Sequence, residues 1–153
     1  MAVLAILAGM ALPAMQQTRD RLQADSLRMQ LASTLATARN TAISQRRPIA
    51  VCPTDDGIQC GRDWSRGWML YPATPSPGQA PPQGPLLVQQ QPRSRLSARG
   101  SQSKPTVQFR PDGRLNGSNQ SIIFCLDGAV QGKVVISLPG RVRSERPRRH
   151  TAC

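Results

Sequence analysis

The sequence predicts an α+β protein, with one long N-terminal helix packed on an antiparallel β-sheet or small β-sandwich of about seven strands. Three observations predict it. Residues 10 to 56 contain no glycine, and the stretch up to Arg47 is rich in Ala, Leu, Gln and Arg, which favour helix. From Pro48 onward, short runs of Val, Ile, Leu and aromatic residues are separated by clusters of Pro, Gly, Asn and Asp, as in strands joined by turns. A chain of 153 residues has room for one modest core. Helix first and strands afterwards is the order of an α+β domain.

The helix occupies residues 1–47. Its first part, "MAVLAILAGMALPAM", is apolar and uncharged over residues 1–15. As a helix this part is roughly 22 Å long, short of the roughly 30 Å hydrocarbon core. No basic residue precedes it, so it lacks the flank of a secretory signal. A core helix of a soluble domain carries one polar face, and Met1–Met15 has none, which points to a membrane or filament-core segment. In "QQTRDRLQADSLRMQLASTLATARNTAISQRR", Leu22, Leu27, Leu31, Leu35, Ala38 and Ala42 recur at three-, four- and five-residue steps. That spacing predicts an apolar stripe facing the strands. Pro13 predicts a kink, and Pro48 forces an end.

The β-rich head occupies residues 48–153. Its strands are "IAVC", "GWMLY", "LLVQQQ", "RLSAR", "TVQFR", "SIIFCL" and "KVVISL". "PTDDGIQCGRDWSRG" is a turn-rich loop. Residues 72–85, "PATPSPGQAPPQGP", form a proline-rich connection that is neither helix nor ladder. "RPDGRLNGS" holds two turn signals, Asp112-Gly113 and Asn116-Gly117. With so few aromatic residues, Trp64, Trp68, Phe109 and Phe124 carry much of the packing.

Four cysteines stand at positions 52, 60, 125 and 153, none in a CxxC pair, and His150 is the only histidine. No metal site and no cofactor is expected. An even number of cysteines suits disulfides in an oxidising compartment. Three pairings exist. Cys52 with Cys60 is the obvious local one, which leaves Cys125 with Cys153. Loop-closure entropy makes the first worth about 2.6 kcal/mol and the second about 3.6 kcal/mol. The second pair would pin the C-terminal tail against a strand.

Net charge is +12, and the cations are 18 arginines against Lys104 and Lys133. Residues 93–153 hold 12 Lys/Arg and 3 Asp/Glu, so a polyanion should meet the C-terminal half. The tail, residues 139–153, contains Arg141, Arg143, Arg146, Arg148 and Arg149. If the strand continues past Gly140, Arg141 and Arg143 share one face, with Val142 on the other. Their spacing of roughly 6.6–7 Å suits successive phosphates. Gly140 permits close backbone approach, and Pro139 fixes the turn. Arg146, Arg148 and Arg149 extend this surface, and Lys104, Arg99 and Arg110 are candidate additions. No aromatic residue interleaves with these arginines, so recognition should be by phosphate and not by base stacking. A solvated, colloid-stabilising tail is the competing explanation.

Catalysis is not expected. The acids are scattered, Asp55-Asp56-Gly57 suits an Asx turn, and there is no phosphate loop, dinucleotide fingerprint or HExxH.

Together these motifs resemble a known family. "VLAILAGMALPAM" with its amphipathic continuation resembles the N-terminal helix of type IV pilins and pseudopilins. "AVCPTDDGIQCGRDWSRGWMLY" resembles the first hairpin of the GspH/FimT family of minor pilins, with its cysteine loop and Trp-containing strand. "VQFRPDGRLNGSNQSIIFCLDG" resembles that family's glycine turn and cysteine strand, and "KVVISLPGRVR" its closing strand and G-R-x-R motif. The resemblance covers most of the chain, with segment 72–85 and the tail after Arg143 matching poorly.

The resemblance implies several properties. The chain would be a minor pilin held in the inner membrane, head in the periplasm, and then built into a pilus. Other pilins or minor pilins would contact its N-terminal helix. Double-stranded DNA would bind Gly140, Arg141, Arg143, Arg146, Arg148, Arg149 and Lys104 during natural transformation. The alternatives are a pilus-priming minor pilin without DNA binding and a structural pseudopilin of a type II secretion system. Family precursors also carry a basic leader, a glycine before the cleavage point, then Phe and an acidic residue within the apolar helix. None of these occurs here, which implies a truncated sequence with roughly nine mature residues before Met1, the alternative being a true N-terminus that acts as an uncleaved anchor.

Overall fold

The computed structural model describes residues 2–73, 84–100, 105–147 and 151–153, with side chains described from Met15 onward. A single helix, α1 (Ala2–Gln45), is followed by eight strands. These are β1 (Ile49–Pro53), β2 (Gly67–Pro72), β3 (Leu87–Gln90), β4 (Leu96–Gly100), β5 (Val107–Phe109), β6 (Gln120–Leu126), β7 (Ala129–Ile136) and β8 (Val142–Glu145). The α+β class and the small sandwich of antiparallel strands are as predicted, and the structure adds detail. Strand β8 is an eighth strand, and the strands form two four-stranded antiparallel sheets, β3-β2-β1-β5 and β4-β6-β7-β8. Among the described residues, no helix is long and apolar enough to cross a membrane.

The apolar face of α1 lies across both sheets. Ala24, Leu27, Leu31, Leu35, Ala38 and Ala42 are buried at three- and four-residue steps, against Ile49, Val51, Leu70, Phe109, Ile122, Phe124 and Val134. Leu22 does not belong to this stripe: it is 64% exposed. Its five-residue step to Leu27 turns it about 140° round the helix, and Ala24 takes its place. Trp64, Trp68, Phe109 and Phe124 are all fully buried. The Trp68 indole Nε1–H also donates to Thr34 Oγ1 on α1, at 3.0 Å.

Strands β1 and β2 are buried on both faces. Their second face carries Ala50, Cys52, Met69 and Tyr71, and Cys60 packs on it. The Cys52–Cys60 bridge thus folds its loop over the outside of the first sheet. Asp56 closes that loop, its Oδ1 accepting from the Ile58 and Gln59 N–H groups at 2.8 and 2.9 Å. Those donors hold its carboxyl below the ordinary carboxylate range. Strands β6 and β7 join through Asp127-Gly128, both at positive φ, as a two-residue hairpin of the I′ kind requires.

Candidate polyanion-binding surface

The hairpin of β7 and β8 presents the arginines. Val135 pairs with Arg143 and Ile136 with Val142. The turn between them closes with Gly140 N–H donating to Ser137 C=O at 2.7 Å and Ser137 N–H donating to Arg141 C=O at 3.0 Å. Gly140 is buried at φ +85°. A Cβ there would sit 1.9 Å from Gly113 O and 2.8 Å from Arg39 Nε, so only glycine fits. The Arg39 Nε–H itself donates to Gly113 O at 3.0 Å. Gly113, at φ +77°, is seated on the Ile43 side chain. Leu115 N–H donates to Leu138 C=O at 2.9 Å, joining the turns once more. Three chain segments therefore meet at Gly140: the end of α1, the Asp112-Gly113 turn and the β7–β8 turn.

This lock orients the next residues. Arg141 and Arg143 are exposed, while Val142 between them packs toward the core. Arg141 forms no ion pair among the described residues. Arg143 lies 3.9 Å from Glu145, which is held closer, at 3.2 Å, by Lys133 Nζ. Arg143 is thus only weakly neutralised.

Arg146 does not continue this pair as an unopposed cation. Its Nη2 donates to Asp25 Oδ2 at 2.6 Å, and the other oxygen of Asp25 accepts from Arg28. The helix repeat explains the difference. Asp25 lies fourteen residues before Arg39 on α1, or about 21 Å along its axis. Arg146 lies five residues beyond Arg141, with β8 between them, roughly 16 Å away if the chain is extended throughout. The tract therefore runs away from the Gly140 turn, and Glu145 is not its only acidic neighbour. Lys104, Arg148 and Arg149 lie outside the described residues, as does most of segment 72–85.

All four cysteines are bridged, Cys52 to Cys60 and Cys125 to Cys153. The second bridge does pin the chain end to a strand, though not beside Arg141. It holds residues 151–153 at the β6–β7 turn, where Val130 N–H donates to Thr151 C=O and Cys153 N–H to Gly128 C=O. The Gly140 turn stands at the other end of β7.

Two residues of this surface escape a linear reading. Arg39 gives no signal, because only the fold shows what its guanidinium meets. Arg114 follows an Asp-Gly turn signal but is separated from Arg141 by 27 residues. Arg110 stands beside that same turn, 3.9 Å from Asp112, whereas Arg99 lies on β4 in the second sheet. Among the described residues, no group of three His, Cys, Asp or Glu is placed to hold a metal ion.

Comparison with known proteins gives consistent matches. A family model described as the type II transport protein GspH matches residues 28–140, well over half of the chain. The crystal structure of the type IV minor pilin FimU of Pseudomonas aeruginosa superposes with a TM-score of 0.69 at 23% identity, covering 86% of this chain and 95% of that one. A second crystal form of FimU gives 0.65 at 23% identity, covering 83% and 96%. The minor pseudopilin EpsH from the Type 2 Secretion System of Vibrio cholerae gives 0.59 at 14% identity, covering 83% and 99%. At these identities the likeness is one of fold. No curated protein matches the sequence.

Proposed function

This chain belongs to the GspH family of minor pilins and pseudopilins, and from that premise we propose that its head binds the phosphate backbone of double-stranded DNA without sequence preference, for uptake in natural transformation. The observation that carries this reading is the exposure of Arg141 and Arg143 on one edge of a glycine-locked hairpin, where among the described residues only Glu145, 3.9 Å from Arg143, opposes them. The turn fixes the backbone from which the guanidinium groups project, and these groups are planar, bidentate partners of phosphate. They do not read bases, so affinity should follow charge.

The proposed setting is the inner membrane before assembly and an extracellular type IV pilus afterwards, with α1 contacting other pilins. One feature of α1 supports this. No exposed residue from Leu22 to Gln45 is charged, in a protein of net charge +12. Among the described side chains of α1, the exposed large apolar ones, Met15, Leu22, Met29 and Ile43, stand at multiples of seven residues. Such a line suits a helical neighbour.

The test is duplex affinity of the head, residues 20–153, across salt. If about five arginines neutralise phosphates, affinity falls roughly 500-fold between 50 and 200 mM salt. A flat response, or an Arg141→Ala/Arg143→Ala variant binding like the wild type, refutes the DNA reading. The fold likeness to a minor pseudopilin favours a second reading, a structural role in type II secretion. Neighbouring genes for secretion and not for pilus assembly would favour it. Equal displacement of the head from duplex by a heparin-like polymer would instead indicate a general polyanion binder.

A further inference from the structure

Resting on the DNA reading, we infer that the Arg110–Arg114 turn is a second phosphate-binding element, placed to meet the opposite strand of a duplex gripped by Arg141 and Arg143.

The two turns are fused at their backbones. Gly113 O lies 1.9 Å from where a Gly140 Cβ would stand, hence within about 3.4 Å of the Gly140 Cα. Arg114 directly follows Gly113, and Arg141 directly follows Gly140. Standard bond lengths then keep the Arg114 and Arg141 Cα atoms within about 10 Å of each other. Grooves of B-form DNA are roughly 6 and 12 Å wide, and arginine side chains adjust their reach by several ångströms. Two arginines at that separation on different turns can therefore meet phosphates on the two sides of one groove.

Charge and rigidity favour the same placement. Arg114 is exposed and forms no ion pair among the described residues. Its backbone is held, since Arg110 N–H donates to Arg114 C=O and Arg114 N–H to Asp112 Oδ1, at 2.8 and 3.0 Å. Among the described residues Arg110 is opposed only by Asp112 at 3.9 Å, a weak exposed pair. Beneath both turns, Arg39 donates to Gly113 O from α1, so the elements keep a fixed relation. Two other cations are matched more closely. Arg95 is shared by Asp20 and Asp127, and Arg146 is held by Asp25.

The experiment compares wild type, Arg114→Gln, Arg141→Ala/Arg143→Ala and Arg95→Gln heads, each with a duplex and with a single strand of the same sequence. Melting temperature confirms that each variant is folded. Losing one phosphate contact should shrink the duplex affinity change between 50 and 200 mM salt by about 3.5-fold. Arg114→Gln should show that shift on duplex and none on the single strand, while Arg95→Gln matches the wild type on both. If Arg114→Gln matches the wild type on duplex while Arg141→Ala/Arg143→Ala is impaired, the inference is overturned and the DNA reading stands. An equal shift on both ligands overturns the assignment to an opposite strand. A salt-insensitive wild type overturns the DNA reading, and the inference with it.

Discussion

The two ends of strand β7 are fixed in different ways. At one end, the turn carrying Gly140 is held by shape. Its Cα presses on the Gly113 carbonyl, and Arg39 donates to that same oxygen. At the other end, the contacts of residues 151–153 include an isolated bridge, Ala129 with Ala152, backbone hydrogen bonds and the Cys125–Cys153 link. A turn packed against two other segments needs no covalent help. Ordering a chain end costs entropy, and a cross-link lowers that cost. The arginines follow the same division. Arg141 and Arg143 belong to the end locked by packing, and Arg146 to the side governed by Asp25.

The strongest way to break the comparison is Gly140→Ala. The added methyl meets backbone at 1.9 Å in a left-handed conformation. Strain and clash together should cost about 3–5 kcal/mol in denaturant unfolding. Next comes Cys125→Ser/Cys153→Ser, which reopens the loop and should cost about 3.6 kcal/mol by the same measurement. Its hairpin should stay formed, with amide exchange at Gly140 as slow, relative to global unfolding, as in the wild type. Arg39→Met removes a charge-assisted hydrogen bond to Gly113 O and should cost about 1.5–3 kcal/mol. In that variant exchange should quicken at the turns and not at residues 151–153.

The smallest effect lies away from both ends, in the loop closed by Asp56. Its folded pKa is lowered, so its contribution is present above the unfolded value and is lost as pH falls through the folded one. Stability of the wild type should therefore drop slightly more than that of Asp56→Asn as pH is taken below about 4. Parallel acid titrations of the two proteins would reveal the difference.

The elements were legible where local chemistry decides them. The glycine-free run gave away α1, and apolar runs between turn residues marked seven strands. A strand past Gly140 was readable only as a condition, because "VRSE" contains one apolar residue, and its pairing to β7 supplies what its side chains do not. Leu22 looked like part of the stripe because it is apolar, although a five-residue step leaves the face. The division into two sheets depends on which distant strands pair, and no local pattern encodes that. Gly140 was readable as a place for close approach, but not what approaches, since Gly113 is 27 residues away and Arg39 about a hundred. The terminal cysteine was readable as a staple, yet the end of β7 that it serves depends on the fold.

The most direct test of the central claim, that packing and not the disulfide fixes the turn proposed to bind DNA, is the salt dependence of duplex affinity for two folded variants. Arg141→Ala/Arg143→Ala should lose about 12-fold of the affinity change between 50 and 200 mM salt, two contacts' worth. Cys125→Ser/Cys153→Ser should keep that share. The reverse outcome, a bridge variant that loses it and an arginine variant that does not, would contradict the claim.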